Sequence, residues 1–139
     1  MIVLDTNVLS ELMNPQGSQT VKSWADAQPR ERLFTTTITQ AEILYGIAIL
    51  PEGNRKQRLQ SAAQAAFNQE FLNQILLFDS QAAEHFATIS SDRRRRGRPI
   101  SQSDAQIAAI CRTHQAAIAT RNVDDFSNCG IEIVNPWEV

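Results

Sequence analysis

The chain has 139 residues, a formal net charge of −2 and two cysteines. That length suits one domain able to bury most of its apolar surface without staples, and the near-neutral charge argues against a protein that coats nucleic acid nonspecifically. Cys111 and Cys129 lack metal-ligand spacing, the N-terminus has no signal-peptide pattern, and no apolar run approaches the roughly 18 residues of a membrane span, so the expectation is a soluble protein of a reducing cytoplasm with no membrane partner.

The chain opens on Ile2-Val3-Leu4, an uninterrupted apolar run of the kind found in a central parallel strand covered on both faces. It leads straight into Asp5-Thr6-Asn7. Open α/β sheets place their ligands beyond the carboxyl ends of the strands, so an acid here reads as chemistry. Asp, Thr and Asn also cap helices well, and Asp5 therefore carries two readings. Helices are expected over about 7–13 and 20–28, followed by a strand at Leu33–Thr35 and a helix over 39–50. Glu42 has a local explanation there: Thr39 and Glu42 have capping-box spacing, and Ile38 with Ile43 would supply the hydrophobic staple. The residue also falls in the expected first helical turn, on the same side of the sheet as Asp5, which leaves a functional reading open. Pro51-Glu52-Gly53-Asn54 separates this helix from one over 54–72 and looks like the tip of a helical hairpin. Ile43, Leu44, Ile47, Ile49 and Leu50 exceed what one core-facing stripe needs, so the hairpin could bury a partner helix or a second copy.

A strand at Ile75–Phe78 ends at Asp79-Ser80, where capping of the next helix, over 80–97, is the better explanation. That helix closes on Arg93-Arg94-Arg95-Arg96-Gly97-Arg98. Guanidinium forks suit phosphate oxygens, so the run could hold a nucleic-acid backbone. Cations also belong near a helix C-terminus, and Gly97 with Pro99 makes an ordinary helix stop. In the helix over 102–115, Ser101 or Ser103 can serve as N-cap, which frees Asp104 for another task, although the helix dipole would also favour it. The strand Ala117–Thr120 is followed by Arg121-Asn122-Val123-Asp124-Asp125, from which one of Asn122, Asp124 and Asp125 should face the crevice. A last strand spans Ile131–Val134. His85 and His114 fall in helical segments without supporting patterns and read as packing or surface residues.

Five strands with interposed helices predict an α/β fold with a mainly parallel five-stranded sheet flanked by helices. Carboxylates converging on its crevice would repel one another and raise their own pKa values unless a cation lay between them. Oxygen donors without paired His or Cys suit Mg²⁺ or Mn²⁺, which orient a phosphodiester and acidify a bound water.

Asp5-Thr6-Asn7 after a strand, Ala41-Glu42 in an opening helix, Ser103-Asp104-Ala105 with Ile107-Ala108-Ala109, and Ala119-Thr120-Arg121-Asn122 together resemble PIN-domain ribonucleases, closest to the VapC and FitB toxins. The likeness runs nearly the whole chain, down to Val134-Asn135-Pro136-Trp137. It implies a single PIN-like domain over 1–139 and a Mg²⁺-dependent endoribonuclease, usually dimeric. It further implies a cognate antitoxin that blocks the active site and carries a DNA-binding end, so that operator DNA is reached through the antitoxin. Position by position, Asp5, Glu42 and Asp104 match the acidic triad, with Asp5 and Asp104 as metal ligands and the Thr6 and Thr120 hydroxyls steadying the site. The departure is Asn122, where the family often has Asp. An amide binds Mg²⁺ more weakly, leaving Asp125 to assist. The RNA, in single-stranded form, would be steered by Arg94, Arg96 and Arg98 within the run from Arg93, and by Arg121. A rival enzyme, an aspartate-nucleophile phosphatase, wants a second Asp where this chain has Asn7 and a late Lys where it has none after Lys56. A non-enzymatic rival, an interaction module whose crevice no longer turns over, stays open because of Asn122.

Overall fold

The computed structural model describes all 139 residues. Five strands, β1 (Ile2–Leu4), β2 (Leu33–Thr36), β3 (Ile75–Leu76), β4 (Ala117–Ala119) and β5 (Ile133–Val134), form one sheet in the order β3-β2-β1-β4-β5, and every neighbouring pair is parallel. Six α-helices connect them: α1 (Thr6–Met13), α2 (Gln19–Asp26), α3 (Thr37–Ala48), α4 (Asn54–Ala65), α5 (Ser80–Arg95) and α6 (Gln102–His114). The α/β class expected from the strand and helix alternation is the one observed, with a sheet that is wholly parallel.

Side chains of β1 alternate between two cores. Ile2 and Leu4 pack with Val8 and Leu9 of α1, Val21 of α2 and Ile43 and Ile47 of α3, whereas Val3 packs with Ile89 of α5 and Ile107 and Ile110 of α6. Burial on both faces explains why β1 shows no polar alternation. No helix is long and apolar enough to cross a membrane.

Several boundaries differ from the sequence reading, each for a local reason. α3 begins at Thr37, ahead of the expected start, because the Thr36 hydroxyl accepts the Thr39 N–H at 3.1 Å and caps the helix. The proposed Thr39–Glu42 capping box and its staple are therefore corrected: Ile38 packs against one core and Ile43 lies in the other. The helix expected over 54–72 is α-helical only to Ala65, then passes through a π turn at Ala66–Glu70 that seats Phe67 in the core. β3 stops at Leu76 because its partner β2 ends at Thr36 and turns into α3, leaving Leu77 with nothing to pair. α5 ends as the Gly97 signal implied. Gly97 adopts φ +74°, its N–H donates to the Arg94 carbonyl at 3.0 Å, and the Arg98 N–H donates to the Arg93 carbonyl at 3.0 Å.

The strand order fixes where a site can form. β2 and β3 lie on one side of β1, β4 and β5 on the other, so the topology reverses at the centre of the sheet. Leu4 pairs with Ala119, and the Asp5 N–H reaches the Ala119 carbonyl at 3.1 Å. Asp5 and Thr120 consequently emerge side by side at this switch point.

Candidate active site

Asp5 does two things at once. It sits in extended backbone as the N-cap of α1, its Oδ1 accepting the Val8 N–H at 2.9 Å. The Thr120 hydroxyl and the Asn7 N–H also favour the ionised form of this carboxylate. It is nonetheless only 5% exposed. Burial raises its pKa above the ordinary carboxylate value; the hydrogen bonds pull the other way, and the charge of Asp104 adds to the rise.

Asp104 lies in the first turn of α6. Ser101 is the cap, its hydroxyl accepting the Asp104 N–H at 3.2 Å, so the Asp104 carboxylate is not needed for capping. Burial again raises the pKa most, and the charges of Asp125 and Glu42 raise it further, while Ser101 and Arg93 lower it. Asp104 thus acts on Asp5, and Glu42 and Asp125 act on Asp104. The four acids singled out in the sequence share one electrostatic neighbourhood, although desolvation, and not mutual repulsion, is its leading effect.

Glu42 stands beyond the first turn of α3, a correction to the expected position. The Thr6 hydroxyl donates to its Oε1 at 2.6 Å, and the Thr39 hydroxyl lies 3.2 Å from that of Thr6. A hydroxyl has one proton; with Thr6 donating to Glu42, Thr39 donates to Thr6, and the three form a relay from the buried start of α3 to α1. Thr39 carries no sequence signal beyond capping. On the other side of the crevice the Thr120 hydroxyl accepts the Asn122 N–H at 3.0 Å, which turns the chain into a 3₁₀ segment at Val123–Phe126. Asn122, Asp124 and Asp125 are all exposed there.

The arginine run divides. Arg93 is not among the arginines that could reach RNA: it is 4% exposed, and its Nε and Nη1 donate to the main chain. Arg94, Arg96 and Arg98 are exposed at the end of α5, with Arg96 paired to Asp92 at 2.9 Å. Arg121, adjacent to Thr120, lies over the Trp137 ring at 5.0 Å, a cation–π contact that gives it a preferred position. The Asp79 carboxylate caps α5, accepting the Ala82 N–H at 2.9 Å, and His85 and His114 take no part in the hydrogen bonds of the crevice. A cavity of 640 Å³ between α1, α2 and α4, lined by Leu9, Met13, Ala25 and Phe71 among others, contains none of these acids.

A family model described as PIN domain matches residues 2–131. A VapC ribonuclease of Sinorhizobium fredii is 36% identical over 138 residues, and toxin FitB of Neisseria gonorrhoeae is 35% identical over 137, each match covering 99% of both chains. Among solved structures, FitAB bound to a DNA fragment superposes with a TM-score of 0.93 at 34% identity, covering 100% of this chain and 97% of that one. FitAcB from Neisseria gonorrhoeae gives 0.89 at 32% identity, with 100% of both chains covered. A family model across nearly the whole chain, and full-length relatives above 30% identity, fix the conclusion that this chain belongs to the PIN-domain family, among the VapC and FitB ribonuclease toxins of toxin–antitoxin systems.

Proposed function

We propose that the crevice beyond β1 and β4 hydrolyses single-stranded RNA with Mg²⁺ held by Asp5 and Asp104, and that a cognate antitoxin restrains it. The observation that carries this reading is the pair of carboxylates whose pKa values burial raises at the switch point of the sheet, a charge arrangement that a hard cation relieves. No three of the His, Cys, Asp and Glu side chains stand close enough together to enclose a metal by themselves. Mg²⁺ fits such a sparse donor set because it keeps several waters and needs one or two carboxylates, and Mn²⁺ would substitute.

When bound, the ion supplies an acidified water as nucleophile and neutralises charge on the leaving oxygen. The chain's own residues position the rest. Val8 N–H holds the Asp5 carboxylate, the Thr120 hydroxyl favours its ionised form, and the Ser101 cap fixes the turn that bears Asp104. The Thr6 hydroxyl orients Glu42, leaving its carboxylate available to take a proton. Asp125 contributes the negative charge that Asn122 lacks. Arg121, steadied on Trp137, with Arg94, Arg96 and Arg98 further out, draws RNA phosphates to an otherwise acidic rim.

The partner assignment draws on the relative seen as FitAB bound to DNA, which suggests that an antitoxin also carries this chain to its operator. It draws equally on α3 and its C-cap Ile49, where Ile43 and Ile47 are buried but Leu44, Tyr45 and Ile49 remain 47%, 68% and 66% exposed. That apolar face suits an antitoxin helix or a second copy in a homodimer. The 139 residues act as one domain, and two free, buried cysteines accord with a reducing cytoplasm.

The test is cleavage of an RNA panel by antitoxin-free protein in Mg²⁺, Mn²⁺ or EDTA, beside Asp5→Asn and Asn122→Asp. Cleavage that needs both the metal and Asp5, with a lower metal requirement in Asn122→Asp, supports the reading. Intact RNA in every metal, from folded protein that still binds its partner, would replace it with the interaction-module reading.

A further inference from the structure

Arg93 stands apart from the other members of the arginine run. Its Nε donates to the Arg98 carbonyl at 2.7 Å, and its Nη1 donates to the carbonyls of Asp125 at 2.8 Å and Ser127 at 3.0 Å, with the Cys129 Sγ at 3.7 Å. The side chain is 4% exposed, and the ion pairs of the molecule, Lys56–Glu52 and Arg96–Asp92, do not include it. Desolvating a guanidinium without a counter-ion is costly, so a buried one is informative about the groups around it. Main-chain carbonyls take the donors on its Nε and Nη1, and its positive charge favours the ionised form of Asp104.

Those carbonyls belong to two segments. Arg98 closes α5, while Asp125 and Ser127 flank Phe126, which is 1% exposed and packs in the core beside α5 and α6. One planar fork therefore ties the end of α5 to the loop after β4. Only the main chain of that loop is fixed this way; the side chains of Asn122, Asp124 and Asp125 stay exposed. Lysine would supply the charge from a single nitrogen and could not span both segments as the fork does.

We propose that Arg93 is a positioning residue: by gripping the Asp125 and Ser127 carbonyls it holds the loop that carries Asp125 against Asp104 and so sets the metal affinity of the crevice from behind. This rests on the reading of Asp5 and Asp104 as the metal site. It also explains how a chain with an amide at position 122 recovers a fourth acid, since a residue on a short 3₁₀ turn can serve the site only if the turn itself cannot drift.

The experiment is direct Mn²⁺ titration of purified protein, read by calorimetry and by the electron paramagnetic resonance of free Mn²⁺, on wild type, Asp5→Asn, Asp125→Asn, Arg93→Lys and the double variant Arg93→Lys/Asp125→Asn. Arg93→Lys should weaken Mn²⁺ binding within the 10- to 100-fold range typical of residues that orient ligands, and Asp125→Asn should add little to it, because both changes remove the same contribution. Wild-type Mn²⁺ affinity in folded Arg93→Lys, or independent losses that multiply in the double variant, would overturn the proposal. Should Arg93→Lys not fold, Asp125→Asn alone decides: undiminished Mn²⁺ affinity there removes the reason for the latch. Retained binding in Asp5→Asn would instead defeat the site reading, whereas lost binding in Asp5→Asn with none lost in Arg93→Lys defeats the latch alone.

Discussion

Asp5 and Asp79 make the same local structure in two different places. Each follows an apolar strand run, adopts extended backbone, with φ −76° and ψ 177° at Asp5 and φ −95° and ψ −170° at Asp79, and accepts the N–H three residues on at 2.9 Å. The strands behind them differ. β1 lies at the centre of the sheet, with β2 and β4 on either side, whereas β3 lies at its edge. Asp5 therefore sinks among Thr120, Asp104 and the flanking helices, while Asp79 stays exposed. A helix cap is set by a few neighbouring residues; a charged environment is set by which strand the cap happens to terminate.

Substitution at both positions is the sharpest way to break this comparison. Asp5→Asn keeps a good N-cap, so the protein should fold normally, yet RNA cleavage should fall by about a hundredfold or more, beyond what a merely orienting residue costs. Asp79→Asn should cleave as wild type. Equal activity in the two variants, measured at matched melting temperature, would make Asp5 a cap and nothing else. Thr120→Val removes the hydroxyl that favours the ionised form of Asp5, and the expected loss of cleavage is smaller, about 10- to 100-fold, with part of it recovered at high Mg²⁺. Cleavage by Thr120→Val that matched wild type at limiting Mg²⁺ would contradict that support.

Stability should show the reverse ranking. Asp79→Ala loses only a cap, so it should lower the unfolding free energy by about 1 kcal/mol in denaturant titration without touching cleavage. A smaller effect concerns pH. Asp5 and Asp104 have pKa values raised above 3.8 in the folded chain, so just above that value the folded protein binds more protons than the unfolded one. Their contribution to stability is complete below 3.8 and is lost as pH rises through their folded values. The melting temperature of metal-free wild type should accordingly decline across that window relative to Asp5→Asn, and added Mg²⁺ should offset the decline at neutral pH by binding the folded state. A constant difference between the two proteins across the window would show that Asp5 ionises as freely folded as unfolded.

Much of the site is legible in the amino-acid sequence because strand ends announce themselves. Ile2-Val3-Leu4 ahead of Asp5, and Ala117-Ile118-Ala119 ahead of Thr120, carry enough apolar pattern to locate the crevice side of the sheet. The cap at Ser101 and the stop at Gly97 are likewise readable, since both depend on residues within one turn. Glu42 is harder. Its local sequence imitates a capping box, and only the approach of Thr6, 36 positions earlier, shows the carboxylate engaged elsewhere. Arg93 is hidden for the same reason. Four consecutive arginines look alike in sequence, and nothing local tells which faces the carbonyls of residues 125 and 127.

The sequence by itself determined the alternation of strands and helices, the parallel sheet, the placement of Asp5 at a strand end and the family likeness, because each depends on short-range periodicity or on residue order. Tertiary structure decided that Asp5 and Asp104 are buried enough to raise their pKa values, that Thr6 serves Glu42, and that Arg93 turns inward while Arg94 stays in solvent. Desolvation and long-range hydrogen bonding belong to the packed molecule, since residues remote in the chain must first be brought together before either can act.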